Sequence, residues 1–190
     1  MSDEPRNRRQ ILLARHGETK WNVEKRRQGW LDSPLTDEGI WQAQQIGAQA
    51  YPFQVDIIVA SSLGRARETA TTMCGFLGAD VVLLDDLREV NHGDFAGHTN
   101  AELDAQYPGW RAQRKQNLYE WRFPGGESYH DAHMRAVRAL ANPYITDARC
   151  PLIISHQMIG RMLIGELEHI PVEAALHRDL PHNRLLVFER

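Results

Sequence analysis

The sequence predicts an α/β fold, a three-layer sandwich in which a mostly parallel central sheet carries helices on both faces. A short helical cap is expected over the carboxyl ends of the strands. Short apolar runs alternate with longer segments of helical periodicity along the chain, as in strand–helix–strand units. The length of 190 residues and the 42% hydrophobic content suit one domain with a substantial core.

The elements follow in chain order, with residues 1–9 as a polar tail and 10–190 as the single domain. Strands are predicted at 11–14, 55–60, 80–84, 151–155 and 184–189. Helices are predicted at 36–51, 65–77, 100–106, 110–116, 127–142 and 158–169. Thr36 suits the N-cap of the first helix and Gly78 the end of the second. The cap is expected at about 98–123.

Composition excludes several classes of function. The 22 basic and 25 acidic residues give a net charge of −3, so no field of one sign attracts nucleic acid or an anionic membrane. The apolar runs are far shorter than the ~20 residues of a spanning helix, and residues 1–10 lack the apolar core of a signal peptide. Cys74 and Cys150 form neither a disulfide framework nor a metal motif. A cytoplasmic location is expected, and the sequence does not decide whether the chain forms an oligomer.

Chemically versatile residues follow four of the predicted strands. In parallel α/β sheets, ligands bind beyond the carboxyl ends of strands. The segments that follow those ends are 15–17, 61–65, Glu89 and His156. We therefore expect these segments to meet in one crevice.

Five of these side chains suit phosphoryl transfer. Arg15 and Arg65 can hold the non-bridging oxygens of a phosphoryl group with forked hydrogen bonds. His16 or His156 can attack phosphorus, provided that one ring nitrogen is free and the other is held by an acceptor. Glu89 is the available acid for the leaving alkoxide.

Several sequence blocks stand in a characteristic order. They are LLARHGETKWN at 12–22, RQG at 27–29, DSPLT at 32–36, SSLGRARETA at 61–70, LRE at 87–89, GDFAG at 93–97, PGGES at 124–128 and ISH at 154–156. This order resembles the histidine phosphatase superfamily, which includes cofactor-dependent phosphoglycerate mutases. The pattern is most similar to the shorter, broad-specificity phosphatases of that family.

The resemblance implies a role for each matching residue. His16 matches the nucleophile that becomes phosphohistidine, and Glu89 matches the proton donor. The rest of the phosphate pocket is matched by Arg15, Arg65 and His156. Positions near the transferred phosphate are matched by Asn22, Gln28 and the backbone at Gly29. The resemblance also implies a small phosphomonoester as substrate and no metal or other cofactor.

Two residues depart from the family pattern. Gln157 follows the second histidine where the family usually has glycine, and it can crowd the pocket or bind the substrate. His92 stands where an apolar or aromatic residue is usual, close in sequence to Glu89. Both departures bear on substrate choice and leave the catalytic groups in place.

The short segment 98–123 favours a phosphatase over a mutase. Mutases of this family usually carry an insertion after the GDFAG block that encloses the site, since phosphohistidine must be protected from water. A phosphoglycerate mutase is the first alternative. A non-catalytic module that binds phosphorylated ligands is the second, and the presence of His16 and Glu89 argues against it.

Most of the remaining candidates have two interpretations. Arg111 and Arg114, in the cap, can bind a carboxylate or a second phosphate, or can lie on a solvated helix face. His130 and His133 have a spacing that metals use, but no third ligand is near and packing is the better interpretation. His182 is expected on the surface.

Overall fold

The computed structural model describes residues 9–190 of the chain. The five strands of its sheet are β1 Gln10–Arg15, β2 Ile57–Ser61, β3 Asp80–Leu84, β4 Pro151–Ser155 and β5 Leu186–Glu189. The longer helices are α2 Asp37–Ala50, α3 Gly64–Leu77, α4 Asn100–Gln106, α5 Trp110–Gln116, α6 Tyr129–Leu140 and α8 Gln157–Glu168. Single helical turns are α1 Lys20–Val23, α7 Pro143–Thr146 and α9 Val172–Ala175. The predicted tail lies outside the described residues except for Arg9, which donates to the carbonyl oxygen of Ala148.

The sheet has the strand order β3-β2-β4-β1-β5. The first four strands are parallel, and β5 runs antiparallel to β1 along one edge. The chain skips one position between β1 and β2, and β4 later fills that gap. Arg15 therefore lies opposite Ser155 in the register, and the carboxyl ends of β1, β4 and β2 stand side by side.

Alternate side chains of the strands enter two cores, one on each face of the sheet. On β1, Leu12 and Ala14 pack with buried residues of α2 and α3, whereas Ile11 and Leu13 pack with those of α6 and α8. The period of two along a strand produces this division. The predicted α/β sandwich with a mostly parallel sheet is confirmed.

Capping explains why helix α6 begins later than predicted. Helix α6 begins at Tyr129, two residues after the predicted start, because Ser128 is its N-cap. The Ser128 hydroxyl accepts from the amide of Asp131, whose carboxylate accepts from the amide of Ser128. Such a reciprocal pair satisfies the first free amides of a helix. Helix α8 begins at Gln157, directly after His156.

An aromatic cluster anchors the two predicted cap helices to the body of the protein. Trp110, at the start of α5, is buried, and its ring centroid lies 5.2 Å from that of Phe95. Phe95 also lies 5.8 Å from Phe123, at the end of the cap. Since aromatic pairs of this kind stabilise a contact beyond their buried area, Trp110 serves as an anchor of the cap.

Arg135 on α6 fixes the backbone that follows β3. Its guanidinium donates to the carbonyl oxygens of Asp86, Arg88 and Glu89 at 2.9 to 3.1 Å. It also forms a bidentate pair with Glu127, at 2.8 and 2.7 Å. Both charged side chains are largely buried. This network sets the position from which Glu89 projects.

Replacing Arg135 by methionine should lower the free energy of unfolding by about 3 kcal/mol, since a buried carboxylate loses its charged partner and three carbonyl groups lose a donor. Urea unfolding of the wild type and of Arg135→Met measures the difference. Arg138→Met, one turn away, removes an exposed ion pair with Asp86 and should change stability by less than about 0.5 kcal/mol. Equal effects of the two substitutions would contradict the assigned role of Arg135.

Candidate active site

His16 stands directly after β1 with a geometry suited to a nucleophile. Its backbone amide donates to Ser155 at 3.0 Å, and its Nδ1 donates to the carbonyl oxygen of Gly17 at 2.7 Å. This bond fixes the tautomer, so that Nε2 carries the lone pair. Burial, reinforced by the positive charge of Arg65, holds the pKa of His16 well below its usual range. The ring is therefore neutral at neutral pH.

Arg65, at the start of α3, is held by a fixed set of oxygen acceptors. Its guanidinium donates to the carbonyl oxygens of Leu31 and Gly29 and to the carboxylate of Asp32, each at 2.8 Å. Asp32 also accepts from the amide of Gly64 at 2.6 Å, and so caps the same helix. Asp32 was not predicted as a site residue. It positions Arg65 although the two residues are 33 places apart in the chain.

Arg15, the last residue of β1, contacts Gln157, which follows the second histidine. Its Nη1 donates to the side-chain oxygen of Gln157 at 2.6 Å. Burial lowers the pKa of Arg15 to about 10, so the group stays charged at neutral pH. Gln157 therefore accepts from one of the five N–H donors of Arg15, and a ligand can bind the guanidinium through another of them.

His156 completes the set beyond β4. Its Nε2 lies 2.8 Å from the hydroxyl of Ser61, and its ring centroid lies 5.1 Å from that of His16. The Ser61 hydroxyl accepts from the amide of Leu63, so its own proton is available for Nε2 and the ring proton is assigned to Nδ1. Burial, with Arg65 next in effect, lowers the pKa of His156 well below its usual range.

Three buried nitrogen atoms of this group have no hydrogen-bond partner within residues 9–190. They are Nε of Arg15, Nε of Arg65 and Nδ1 of His156. Buried polar groups are almost always paired, and an arginine nitrogen can only donate. The unpaired donors thus suit a ligand that has several acceptor oxygens and binds beside Nε2 of His16.

Glu89 reaches the N-terminus of α8. Its carboxyl oxygens accept from the amides of Val90 at 2.9 Å and Met158 at 3.2 Å. Its carbonyl oxygen accepts from the indole of Trp30 at 2.7 Å, in addition to Arg135. The side chain is buried. Backbone donors therefore hold the carboxyl group in one orientation.

Helix α1 and the loop after it carry the other residues predicted near the transferred phosphate. Gln28 donates through Nε2 to the hydroxyl of Thr19 at 2.8 Å, and Asn22 accepts from the amide of Thr19. Gly29 has a φ of +53°, and a side chain there would meet the backbone of His92 at 2.8 Å. The loop is therefore packed closely against His92, and the substrate-binding roles of Asn22, Gln28 and Gly29 stay predictions.

The two cap arginines have different surroundings. Arg111 is exposed, and two of its guanidinium nitrogens donate to Asp104 at 2.7 Å each. Arg114 is half-buried and donates to the hydroxyl of Tyr129. Arg111 therefore forms an ion pair at the surface, whereas the side chain of Arg114 points towards the interior. A substrate-binding role for either residue stays a prediction.

His182 lies against His16, which corrects its expected surface position. Its Nδ1 donates to the carbonyl oxygen of His16, and the two ring centroids are 5.4 Å apart. Burial lowers the pKa of His182 to about 4. Because β5 is antiparallel to β1, the loop before β5 arrives at the end of β1 where His16 stands. Only the strand order brings His182 to His16, and no local sequence motif encodes that order.

His133, at the spacing that metals use, has hydrogen-bond partners within the protein. His133 lies 2.7 Å from the hydroxyl of Tyr119 and 2.9 Å from Glu166. Residues 9–190 contain no cluster of three or more His, Cys, Asp or Glu side chains arranged for a metal ion. In the same part of the chain, no helix has the length and apolar content to cross a membrane, and Cys74 and Cys150 are not in a disulfide.

Comparison with known proteins places this geometry in a family. A family model of the histidine phosphatase superfamily (branch 1) matches residues 11–190. A protein of Salmonella choleraesuis (strain SC-B67) with the name "Probable phosphoglycerate mutase GpmB" is 36% identical over 166 residues, which are 87% of this chain and 77% of that protein.

Two solved structures are similar as well. The alpha-ribazole phosphatase from Shigella flexneri matches with a TM-score of 0.84 and 27% identity over 94% of this chain and 89% of its own. A mycobacterial glucosyl-3-phosphoglycerate phosphatase in complex with VO3 matches with a TM-score of 0.74 and 32% identity over 90% and 87% of the two chains. The resemblance drawn from the motifs is confirmed, and the chain belongs to the histidine phosphatase superfamily (branch 1).

Proposed function

We propose that the protein is a phosphatase of the histidine acid phosphatase type, which hydrolyses a small phosphomonoester through phosphohistidine at His16. The observation that carries the proposal is the set of unpaired buried donors on Arg15, Arg65 and His156 beside a neutral imidazole. These groups suit a phosphoryl group, whose charge is spread over several oxygens. The phosphatase names of two structural relatives support the same reaction class.

In the first step, Nε2 of His16 attacks phosphorus and forms the N–P bond while the ester P–O bond breaks. Arg15 and Arg65 bind the non-bridging oxygens, where charge builds up in the transition state. Nδ1 of His156 is a further donor. Glu89, in its protonated form, gives its proton to the leaving alkoxide.

In the second step, water attacks the phosphohistidine. Glu89, now a carboxylate, takes one proton from the water as the new P–O bond forms and the N–P bond breaks. Inorganic phosphate leaves, and His16 returns to its neutral state. The bond from Nδ1 of His16 to Gly17 keeps the same ring nitrogen available in both steps.

Phosphoglycerate mutase activity is the second candidate, and the 36% identity to a protein with that name favours it. A mutase must keep water from the phosphohistidine until a second acceptor arrives. The segment after Gly97 forms two helices of 7 residues each, which is a small cover for such a site. This limited cover favours hydrolysis.

His16→Ala should reduce phosphate release from phosphomonoesters by at least about 10³-fold, since the nucleophile is lost. Release from p-nitrophenyl phosphate and a set of sugar and glycerol phosphates measures it. His177→Ala, at an exposed position, should match the wild type. Phosphoglycerate isomerisation primed by 2,3-bisphosphoglycerate, without release, would favour the mutase. Ligand binding without turnover in either assay would favour a non-catalytic module.

The buried neutral histidines should make stability fall with acidification. Burial lowers the pKa of His16 and His156 well below the usual range and that of His92 to about 3. In the unfolded chain these groups titrate near 6.5, so the unfolded state binds more protons as the pH falls below that value. Each such histidine should remove about 1 kcal/mol of stability between pH 7 and 5.5.

Urea unfolding at the two pH values tests this linkage. In His92→Phe, which keeps an aromatic ring but cannot titrate, the loss of stability should be smaller by about the share of one histidine. His177→Ala should show the wild-type loss. A stability that does not change between pH 7 and 5.5 would contradict the buried neutral state of these rings.

A further inference from the structure

A cleft of about 300 Å³ between the loop after α1 and the cap is lined mainly by cations. Its walls are formed by Arg27, Trp110, Arg111, Arg114, Lys115 and Leu118. We propose that this cleft binds a second anionic group of the substrate, a carboxylate or a phosphate, through Arg27 and Arg114. The proposal rests on the phosphatase function and adds a substrate class to it.

Arg27 carries a charge that no carboxylate within residues 9–190 balances. Two of its guanidinium nitrogens donate to the neutral side-chain oxygen of Asn100, at 3.2 and 3.0 Å. Its neighbour Arg26 instead pairs with Glu24 and Glu102, at 2.9 Å each. Arg27 also lies over the ring of Trp110, with its guanidinium carbon 5.1 Å from the ring centroid. It is therefore held in place at the cleft with its charge still available.

Arg114 faces Arg27 from the cap and is similarly unbalanced. Its guanidinium packs against the rings of Tyr129 and Phe123, with centroid distances of 5.2 and 5.9 Å, and donates to the Tyr129 hydroxyl. Its buried Nε has no partner in the part of the chain that the structure describes. After burial, the charge of Arg114 is the largest cause that lowers the pKa of Arg27. An anion between the two arginines would relieve this repulsion.

His92 joins this cleft to the proposed phosphate pocket. Its ring lies 4.6 Å from that of Phe123, against which Arg114 also packs. The side chain is 8% exposed, and its Nδ1, like Nε of Arg114, is a buried atom without a partner among residues 9–190. On its other side His92 touches Gly29, whose carbonyl oxygen accepts from Arg65. After burial, the charges of Arg27, Arg114 and Arg65 all lower the pKa of His92, so this residue stands between the cleft and the proposed phosphate pocket.

The chemistry of the lining defines the substrate class. Arginine forks bind carboxylate and phosphate groups with paired, charge-assisted hydrogen bonds. Trp110 and Leu118 supply an apolar wall for a short carbon chain. Arg111 is assigned no such contact, since Asp104 already neutralises it. The expected substrate is a small phosphomonoester that carries a second anionic group.

The experiment uses alkyl phosphates of two to five carbons, each with a terminal methyl, carboxylate or phosphate group. In the wild type, kcat/KM should be at least about 10-fold higher for an anionic end group than for methyl at one or more lengths. In Arg27→Met and in Arg114→Met this preference should fall to within about 2-fold, while methyl-ended compounds are still hydrolysed. The carboxylate and phosphate series identify which anion the cleft prefers.

Arg26→Met is the matched control, since Arg26 is adjacent in sequence and ion-paired outside the cleft, and it should keep the wild-type preference. The proposal is overturned if the wild type shows no preference at any length, or if the preference survives both substitutions. Hydrolysis of the methyl-ended compounds and its loss in His16→Ala test the phosphatase function separately. If no compound is hydrolysed, calorimetric Kd values for the three end groups on wild type and Arg27→Met decide the proposal instead.

Discussion

The concentration of buried arginine donors around one neutral histidine is the constraint on which the site depends. Arg65 is held by carbonyl groups and one carboxylate, and burial is the largest cause that lowers the pKa values of His16 and His156. Burying charge without full pairing opposes folding. The packed sheet and helices must therefore supply the stability that keeps this arrangement, and a bound anion would add the missing partners.

The fold meets this constraint through strand order and helix ends. Because β4 lies between β1 and β2, the residues at their carboxyl ends become neighbours. His156 thus lies against both Ser61 and His16, which are far from it in the sequence. Helix α8 starts at once after His156, so its first amides hold the Glu89 carboxyl group. Arg135 fixes the backbone of Glu89 from a different helix. Glu89 and the two histidines are thereby oriented by separate, rigid supports.

The sequence predicted the parts of the molecule that local patterns encode. Apolar runs with period two, capping residues and the ordered motifs locate the strands, the long helices and the residues around His16. Asp32, Arg135 and His182 escaped prediction because their roles arise from contacts with residues 33, 46 and 166 positions away. Arg27 escaped for a related reason. Its charge is indistinguishable from that of Arg26 in the sequence, and only the folded loop pairs one with carboxylates and leaves the other facing Arg114.

Trapping the phosphoryl enzyme is the most direct test of the central claim that His16 is the nucleophile. A rapidly hydrolysed phosphomonoester labelled with ³²P would be mixed with the enzyme, quenched in alkali within milliseconds, and the protein digested and sequenced by mass spectrometry. The account predicts an acid-labile, alkali-stable phosphate on the peptide that contains His16, absent from His16→Ala. Label on another residue, or steady turnover with no covalent label at any time, would contradict it.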